Sequence, residues 1–301
     1  MTPAGRTAQR PRPLARDETI TSRENQWLKR FRGALRAGEA AEDGLVGLEG
    51  PRLVEEALRS GLGVEALLVS PAGERHFERL RPLAGDSLRV LRTSDRLFAS
   101  AAGTETPQGI AALVRPRAAS FDDLVRGVPL VIVLVGVQDP GNVGTVVRAA
   151  EAFGATGVAT CASPSCGTAH PFSPKALRAS AGSALRLPVV HGLKVPILLA
   201  QLRVAGVKLY AAAPDAEAHA ARAPHPIQPV LNPWQADFRA PTALLVGNEG
   251  AGLPPEVVRS ADARVRIPIE GGVESLNAAV AASVLLYEAA RQRRASAGAQ
   301  R

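Results

Sequence analysis

The stretch LVIVLVGVQDPGNVGTVVRAAEAFGATGVAT, residues 130–160, decides the fold. Its opening run, 130–137, is continuously apolar and rich in β-branched residues, the pattern of a strand buried on both faces of a parallel sheet. Pro140 and Gly141 turn the chain, Asn142 is placed to cap a helix over 142–154, and GVAT at 157–160 returns as a second strand. Strand, helix and strand form a βαβ unit, which needs a sheet covered by helices. Gly144 leaves room at the first turn of the helix. Arg148 follows Asn142 by six residues, about 600° round the helix, so the two side chains project in different directions.

The same alternation extends both ways. Downstream come KALRASAGSALRLPVV, VPILLAQLRVAGVKLYAAA, an Ala/Pro-rich loop between Ala213 and Pro241, the strand TALLVGNEG, a strand over 264–269 and a closing helix in GVESLNAAVAASVLLYEAAR. In that helix Ala278, Ala279, Ala281 and Ala282 stand where Leu or Ile would be usual, which implies a close neighbour. Upstream, Trp27, Phe31 and Leu35 recur every four residues as the apolar face of a basic helix. LVGLEG, VEALLVS, SLRVLRT and QGIAALVRP read as strands, with helices at PRLVEEALRSG, FERLRPLA and SDRLFASAAG between them, the last capped by Ser94. The expected class is α/β throughout: a basic tail over 1–17, a smaller α/β domain over 18–115, a linker over 116–128, a parallel-sheet domain over 129–294 and a short tail over 295–301. Both tails are expected to be disordered.

Composition narrows the function classes. Of the 301 residues 46% are hydrophobic and 21% charged, enough for real cores, and the longest apolar run is far too short to cross a bilayer. Two cysteines, Cys161 and Cys166, cannot build a disulfide framework, and five scattered histidines have no ligand-like spacing. A reducing, cytoplasmic setting without a metal or a membrane is the expectation. The net charge is +8, and residues 1–36 hold nine basic side chains against three acids. A basic arm of this kind attracts polyphosphate chains by releasing their counterions, so nucleic acid is the leading partner class, with Arg23, Lys29, Arg30 and Arg32 as candidate RNA contacts.

Three loops at strand ends carry the candidate chemistry. The first is DPGNVGTVVR, just described. The second, LLVGNEGAGLPPE at 244–256, places Gly247, Gly250 and Gly252 around Asn248 and Glu249. Its glycine order is not the dinucleotide fingerprint G-x-G-x-x-G, and its acid makes it a poor phosphate cradle; a neutral or cationic ligand suits it better. The third, VRIPIEGGVESLN, sets Ser275 and Asn277 at a helix start. Each loop alone is an ordinary turn or cap; three in one domain are not.

Asn142-Val-Gly144, Arg148 and Phe153-Gly154, then Gly247-Asn248-Glu249-Gly250-Ala251-Gly252-Leu253, then Ile267-Pro268 and Ser275-Leu276-Asn277, resemble in order the three motifs of the SpoU/TrmH branch of the SPOUT methyltransferases. The resemblance covers about 130–292; KALRASAGSALRLPV resembles the segment between the first two motifs, and 20–115 resembles a ribosomal-protein-like RNA-binding domain. It implies an α/β domain with a deep trefoil knot, S-adenosyl-L-methionine bound in that knot, a homodimer, and methylation of a ribose 2′-hydroxyl in rRNA or tRNA. Asn142, Arg148, Glu249, Ser275 and Asn277 fall on active-site positions, with Arg148 acting as base or as electrostatic stabiliser. Leu245, Gly247, Ile267 and Leu276 fall on cofactor-binding positions. Ribosomal RNA is the favoured substrate; a tRNA enzyme and a non-catalytic RNA-binding ribosome-assembly factor are the alternatives. One departure is visible: the family continues Ser-Leu-Asn with Val-Ser-Val-Ala, and here Ala279 replaces the serine.

Overall fold

The computed structural model describes residues 17–36, 44–85, 88–162, 167–212 and 228–298. Two compact units emerge, one from Met1–Arg36 and Gly47–Arg115, the other from Ala37–Val46 and Pro116–Arg301.

The first unit is built on a five-stranded sheet in the order β1-β4-β3-β5-β2, from β1 (Asp17–Ile20), β2 (Val46–Glu49), β3 (Gly63–Val69), β4 (Arg89–Thr93) and β5 (Ile110–Arg115). β1, β4 and β3 run parallel and β5 antiparallel to β3. Asp17, placed by the sequence reading in the tail, is the first residue of β1, paired in register with Val90. Helices α1 (Gln26–Arg36), α2 (Pro51–Arg59), α3 (Glu74–Leu80) and α4 (Asp95–Ala101) alternate with the strands, and Ser94 caps α4 by accepting from Leu97 N–H at 3.3 Å. Helix α1 buries Leu28, Phe31, Ala34 and Leu35. Trp27 departs from the expected apolar face: it stays half-exposed with the Arg30 and Arg89 guanidiniums over its ring at 4.5 and 4.8 Å, a cation–π contact that suits an amphipathic indole at a surface.

The second unit carries a seven-stranded sheet, all of whose neighbouring pairs are parallel, in the order β10-β12-β9-β11-β6-β7-β8. Its strands are β6 (Leu130–Val135), β7 (Gly157–Ala162), β8 (Val189–Lys194), β9 (Lys208–Ala212), β10 (Val230–Leu231), β11 (Thr242–Val246) and β12 (Ala263–Val265). Every residue of β6 and β11 is buried, as their unbroken apolar runs require. The helices are α5 (Phe121–Leu124), α6 (Pro140–Ala152), α7 (Pro174–Ser180), α8 (Ser183–Arg186), α9 (Val195–Val204), α10 (Pro255–Arg259) and α11 (Ala278–Gly298). Two left-handed residues, Ala181 at φ 48° and Gly182 at φ 86°, separate α7 from α8. Cys161 is buried and free, and Cys166 lies outside the described residues.

Boundaries near the strand-end loops and the chain's last helix differ from the sequence reading. Helix α6 starts two residues earlier, because Asp139 rather than Asn142 is its cap, accepting from Gly141 N–H at 3.1 Å. Strand β12 ends at Val265 instead of 269, and 266–277 runs as irregular chain. Helix α11 continues to Gly298, past the expected limit at 294. Its last turns are tied down by Arg293, which donates to the carbonyls of Phe238, Val128, Pro129 and Ala240 at 2.7–3.1 Å. Most of the Ala/Pro-rich loop, 213–227, lies outside the described residues; its described end forms β10.

Candidate functional site

The carboxyl ends of β11 and β12 open into a cleft of about 720 Å³, partly open to solvent. Val246, Ile267, Ile269, Leu276 and Ala278 give it apolar walls, and the loop at Gly247–Gly252 rims it. Crevices at this edge of a parallel sheet are where ligands bind in open α/β folds. Glycine at 247 is dictated by contact: an added Cβ would lie 2.3 Å from the Gly252 carbonyl carbon and 2.4 Å from Leu253 N. Gly252 answers a different need, its φ of 68° being left-handed. Asn248 folds the loop. Its backbone exchanges two 3.0 Å hydrogen bonds with Gly252, its Oδ1 accepts from Gly250 and Ala251 N–H at 2.9 Å, and its Nδ2 donates to Gly136 O at 2.9 Å.

At the mouth of the cleft three side chains form one polar chain. Asn277 caps α11, its Oδ1 accepting from Ala279 N–H at 2.9 Å and Val280 N–H at 3.3 Å. That fixes the amide, so Nδ2 points the other way and donates to Asn142 Oδ1 at 3.1 Å. The Asn142 amide is thereby fixed too, and its Nδ2 donates to Glu249 Oε1 at 2.8 Å, while Gln138 N–H reaches Glu249 Oε2 at 3.5 Å. One chain of hydrogen bonds runs from helix-terminal amides to a carboxylate, so each donor is polarised in the same sense. Because Asp139 performs the capping of α6, the Asn142 side chain is free to join it. The missing hydroxyl at Ala279 does not leave the Ala279 N–H stranded, since Asn277 holds it.

Of the expected active-site residues, Glu249 and Asn277 are therefore linked through Asn142, and Ser275 lines the cleft. Arg148 is apart. It is exposed on α6, makes no hydrogen bond or ion pair among the described residues, and does not line the cleft. On an α-helix it stands about 9 Å along the axis and about 120° round from Asn142.

Of the expected cofactor residues, Gly247, Ile267 and Leu276 line the cleft. Leu245 does not: its side chain is wholly buried in the core beneath the sheet, and Val246, pointing to the opposite face, lines the cleft instead. The alternation of β11 is the signal that separates the two. Ala278 and Ala281 line the cleft as well, so part of the alanine face of α11 borders open space, while Ala282 is fully buried. The close helix contact lies at Gly144, where a Cβ would meet Ala176 O at 2.2 Å on α7.

In the first unit three of the four candidate RNA contacts already have partners. Lys29 pairs with Glu24 at 2.5 Å, Arg30 with Glu65 at 3.0 Å, and Arg32 donates to Ser100 O at 3.3 Å; Arg23 is exposed. Among the described residues no group of three metal-ligating side chains occurs, and no helix is long and apolar enough to cross a membrane.

Known proteins resemble both units of the chain. Residues 37–112 match the MRM3-like substrate binding domain. The 23S rRNA (guanosine(2553)-2′-O)-methyltransferase RlmP of Bacillus subtilis is 33% identical over 268 residues, covering 89% of this chain and 97% of its own. The 23S rRNA (uridine(2479)-2′-O)-methyltransferase of Streptomyces viridochromogenes is 31% identical over 93% of this chain and 94% of its own. Among solved structures, the SpoU methyltransferase AviRb from Streptomyces viridochromogenes, in complex with AdoMet, superposes with a TM-score of 0.75 at 28% identity over 90% of this chain and 99% of its own. The AdoMet-bound rRNA methyltransferase from Sinorhizobium meliloti gives 0.72 at 30% identity, over 91% of this chain and 98% of its own. With residues 129–287 matching its methylase domain as well, the chain belongs to the SpoU rRNA Methylase family.

Proposed function

We propose that this protein is an S-adenosylmethionine-dependent methyltransferase that methylates a ribose 2′-hydroxyl of RNA, ribosomal RNA in particular, in the cytoplasm. The observation that carries the reading is the convergence of the cleft with the Asn142–Glu249–Asn277 chain at its mouth. The donor set suits the cofactor. The cleft at Gly247 accepts a ligand pressed against backbone, its apolar walls suit an adenine ring, and Glu249 suits a cationic neighbour. Gly247, Ile267 and Leu276 would hold it, within the knotted arrangement the family forms at this end of the sheet. When bound, S-adenosylmethionine supplies an electrophilic methyl group.

The chain's own residues must then place the hydroxyl and stabilise the oxygen as its proton leaves. Glu249 and Asn142 hold each other and orient what enters the mouth of the cleft; Ser275 and Asn277 close it. Arg148 provides a permanent cation with five donors for the developing alkoxide or an adjacent phosphate. Since Arg148 is exposed and does not line the cleft of its own chain, we assign it to the cleft of a second copy. The homodimer is supported by an exposed apolar stripe on α11, where Val280, Val284 and Tyr287 are 49, 38 and 57% exposed at helical spacing. Residues up to 115 and the basic arm supply RNA affinity and target choice.

Tritiated methyl transfer to unmodified 23S rRNA tests the activity: label should appear at one alkali-resistant ribose linkage. Transfer to tRNA and none to rRNA would move the assignment to tRNA, and transfer to neither would remove the enzyme reading. Arg148→Ala should abolish turnover while keeping cofactor binding. Mixing it with Glu249→Ala should restore activity to about a quarter of wild type through dimers holding one intact shared site; no restoration would refute the sharing.

A further inference from the structure

Beside the catalytic cleft, at the ends of β6, β7 and β8, lies a second, open cavity of about 890 Å³ that the mechanism leaves unused. Gln138, Pro140, Thr160, Thr168, His170 and His191 line it. Its histidines are held in a built arrangement. β7 pairs with β8 through Ala159–Val190 and Cys161–Leu193, so Thr160 alone faces both His191 and Gly192, and Gly192 has a φ of 72°. Such a bulge re-aims a side chain. Here it sets the His191 ring against His170, centroids 4.5 Å apart and planes at 64°. Phe172, 7% exposed, closes the base of the pair at 5.9 Å from His170 and 6.0 Å from His191. His170 Nδ1 accepts from Phe172 N–H at 3.2 Å, so a neutral ring carries its proton on Nε2. Burial lowers the pKa of His191, which favours an uncharged ring.

The cavity shares a wall with the cleft. The N–H of Gly136 donates to Thr168 Oγ1 at 2.7 Å, the carbonyl of Gly136 accepts from Asn248, and Gln138 N–H faces Glu249. Gln138 therefore borders both what sits in this cavity and what sits at Glu249.

We propose that His170 and His191 form a stacking subsite for an unpaired nucleobase of the RNA substrate, adjacent to the ribose being methylated, with Gln138 within the subsite to meet the base edge. This rests on the reading of the cleft as the site of methyl transfer to RNA. Flat aromatic rings are what single-stranded RNA recognition uses, since every base has a π-face. A phosphate is the poorer occupant, because Lys175 on the adjoining helix is neutralised by Asp139 at 2.5 Å. A metal ion is poorer still, two imidazoles having no third ligand among the described residues.

The test uses full-length protein and an unmodified 23S rRNA transcript, with filter binding and methyl transfer read in parallel and S-adenosylmethionine affinity as the control. Losing one base stack should weaken RNA binding and raise the RNA KM of His191→Ala about tenfold or more, leaving kcat and cofactor affinity within about twofold. His191→Phe, which keeps a ring, should recover most of the loss. A His191→Ala enzyme with wild-type KM and RNA affinity overturns the subsite, as does a His191→Phe enzyme no better than His191→Ala. If the wild-type protein neither binds nor methylates the transcript, the rRNA reading fails and takes the subsite with it, a result distinguishable by its appearance in the wild type.

Discussion

Substituting Gly247 by alanine puts the cofactor cleft to its sharpest test. The new Cβ would sit 2.3 Å from the Gly252 carbonyl carbon and 2.4 Å from both Gly252 O and Leu253 N. All three are backbone atoms, so no rotamer change relieves the clash. Carbon atoms pack at about 3.5 Å, so the strand end and the 248–252 loop must separate by about 1 Å. That displacement threatens the two 3.0 Å bonds between Asn248 and Gly252 and the 2.9 Å bond from Asn248 to Gly136. Overpacking of this kind costs about 1–3 kcal/mol. Because the displaced segment is itself the wall of the cleft, about 1.4 kcal/mol should appear in binding, a fall in S-adenosylmethionine affinity of about tenfold by titration calorimetry. Gly272→Ala is the control: an added Cβ there meets nothing within 4 Å, and the residue does not line the cleft. A Gly247→Ala protein that is folded and binds the cofactor within twofold of wild type would refute the cradle.

Three further outcomes follow from particular contacts. Asn142→Ala removes the 2.8 Å bond to the Glu249 carboxylate and the 3.1 Å bond from Asn277, so methyl transfer should fall about 10–100-fold, with the effect non-additive when combined with Glu249→Gln. Arg293→Ala strips four backbone carbonyls of a shared, half-buried donor and should cost about 2–3 kcal/mol in urea unfolding, with Arg293→Lys recovering little because an ammonium cannot span the fork. Gly33→Ala, on the exposed face of α1 with open space around the new methyl, should stabilise the first unit by about 0.5–1 kcal/mol; a lower melting temperature would contradict it.

Much of the second unit was legible because its signals are local. The β-branched run at 130–135, the glycines of 247–252 and the Ser-Leu-Asn at 275–277 each state a backbone requirement within a few residues, and their order suffices to place the family. Boundaries were less legible, since competing caps are chemically equivalent: Asp139 and Asn142 both suit the start of α6, and only the presence of Glu249 across the cleft draws Asn142 elsewhere. The surroundings of the candidate RNA contacts chosen from charge were not legible at all. Lys29, Arg30 and Arg32 look like a basic face in sequence, yet Glu24, Glu65 and the Ser100 carbonyl, one near and two distant along the chain, engage them. In the same way nothing local distinguishes Arg293 from Arg291 and Arg294, because only the first meets the carbonyls at 128, 129, 238 and 240.

By itself, then, the sequence determined the α/β class, the parallel buried strands, the three loops that carry the chemistry and the small residues that surround them, because periodicity, turn chemistry and steric allowance are properties of short segments. Tertiary structure alone decided that Asn142, Glu249 and Asn277 form one hydrogen-bonded chain, that Val246 rather than Leu245 faces the cleft, that Arg148 does not line it, and that a bulge turns His191 onto His170. The first and the last of those outcomes depend on which groups, 21 to 135 residues apart, come within about 3–6 Å of one another, and hydrogen bonds and ring contacts act only over such distances.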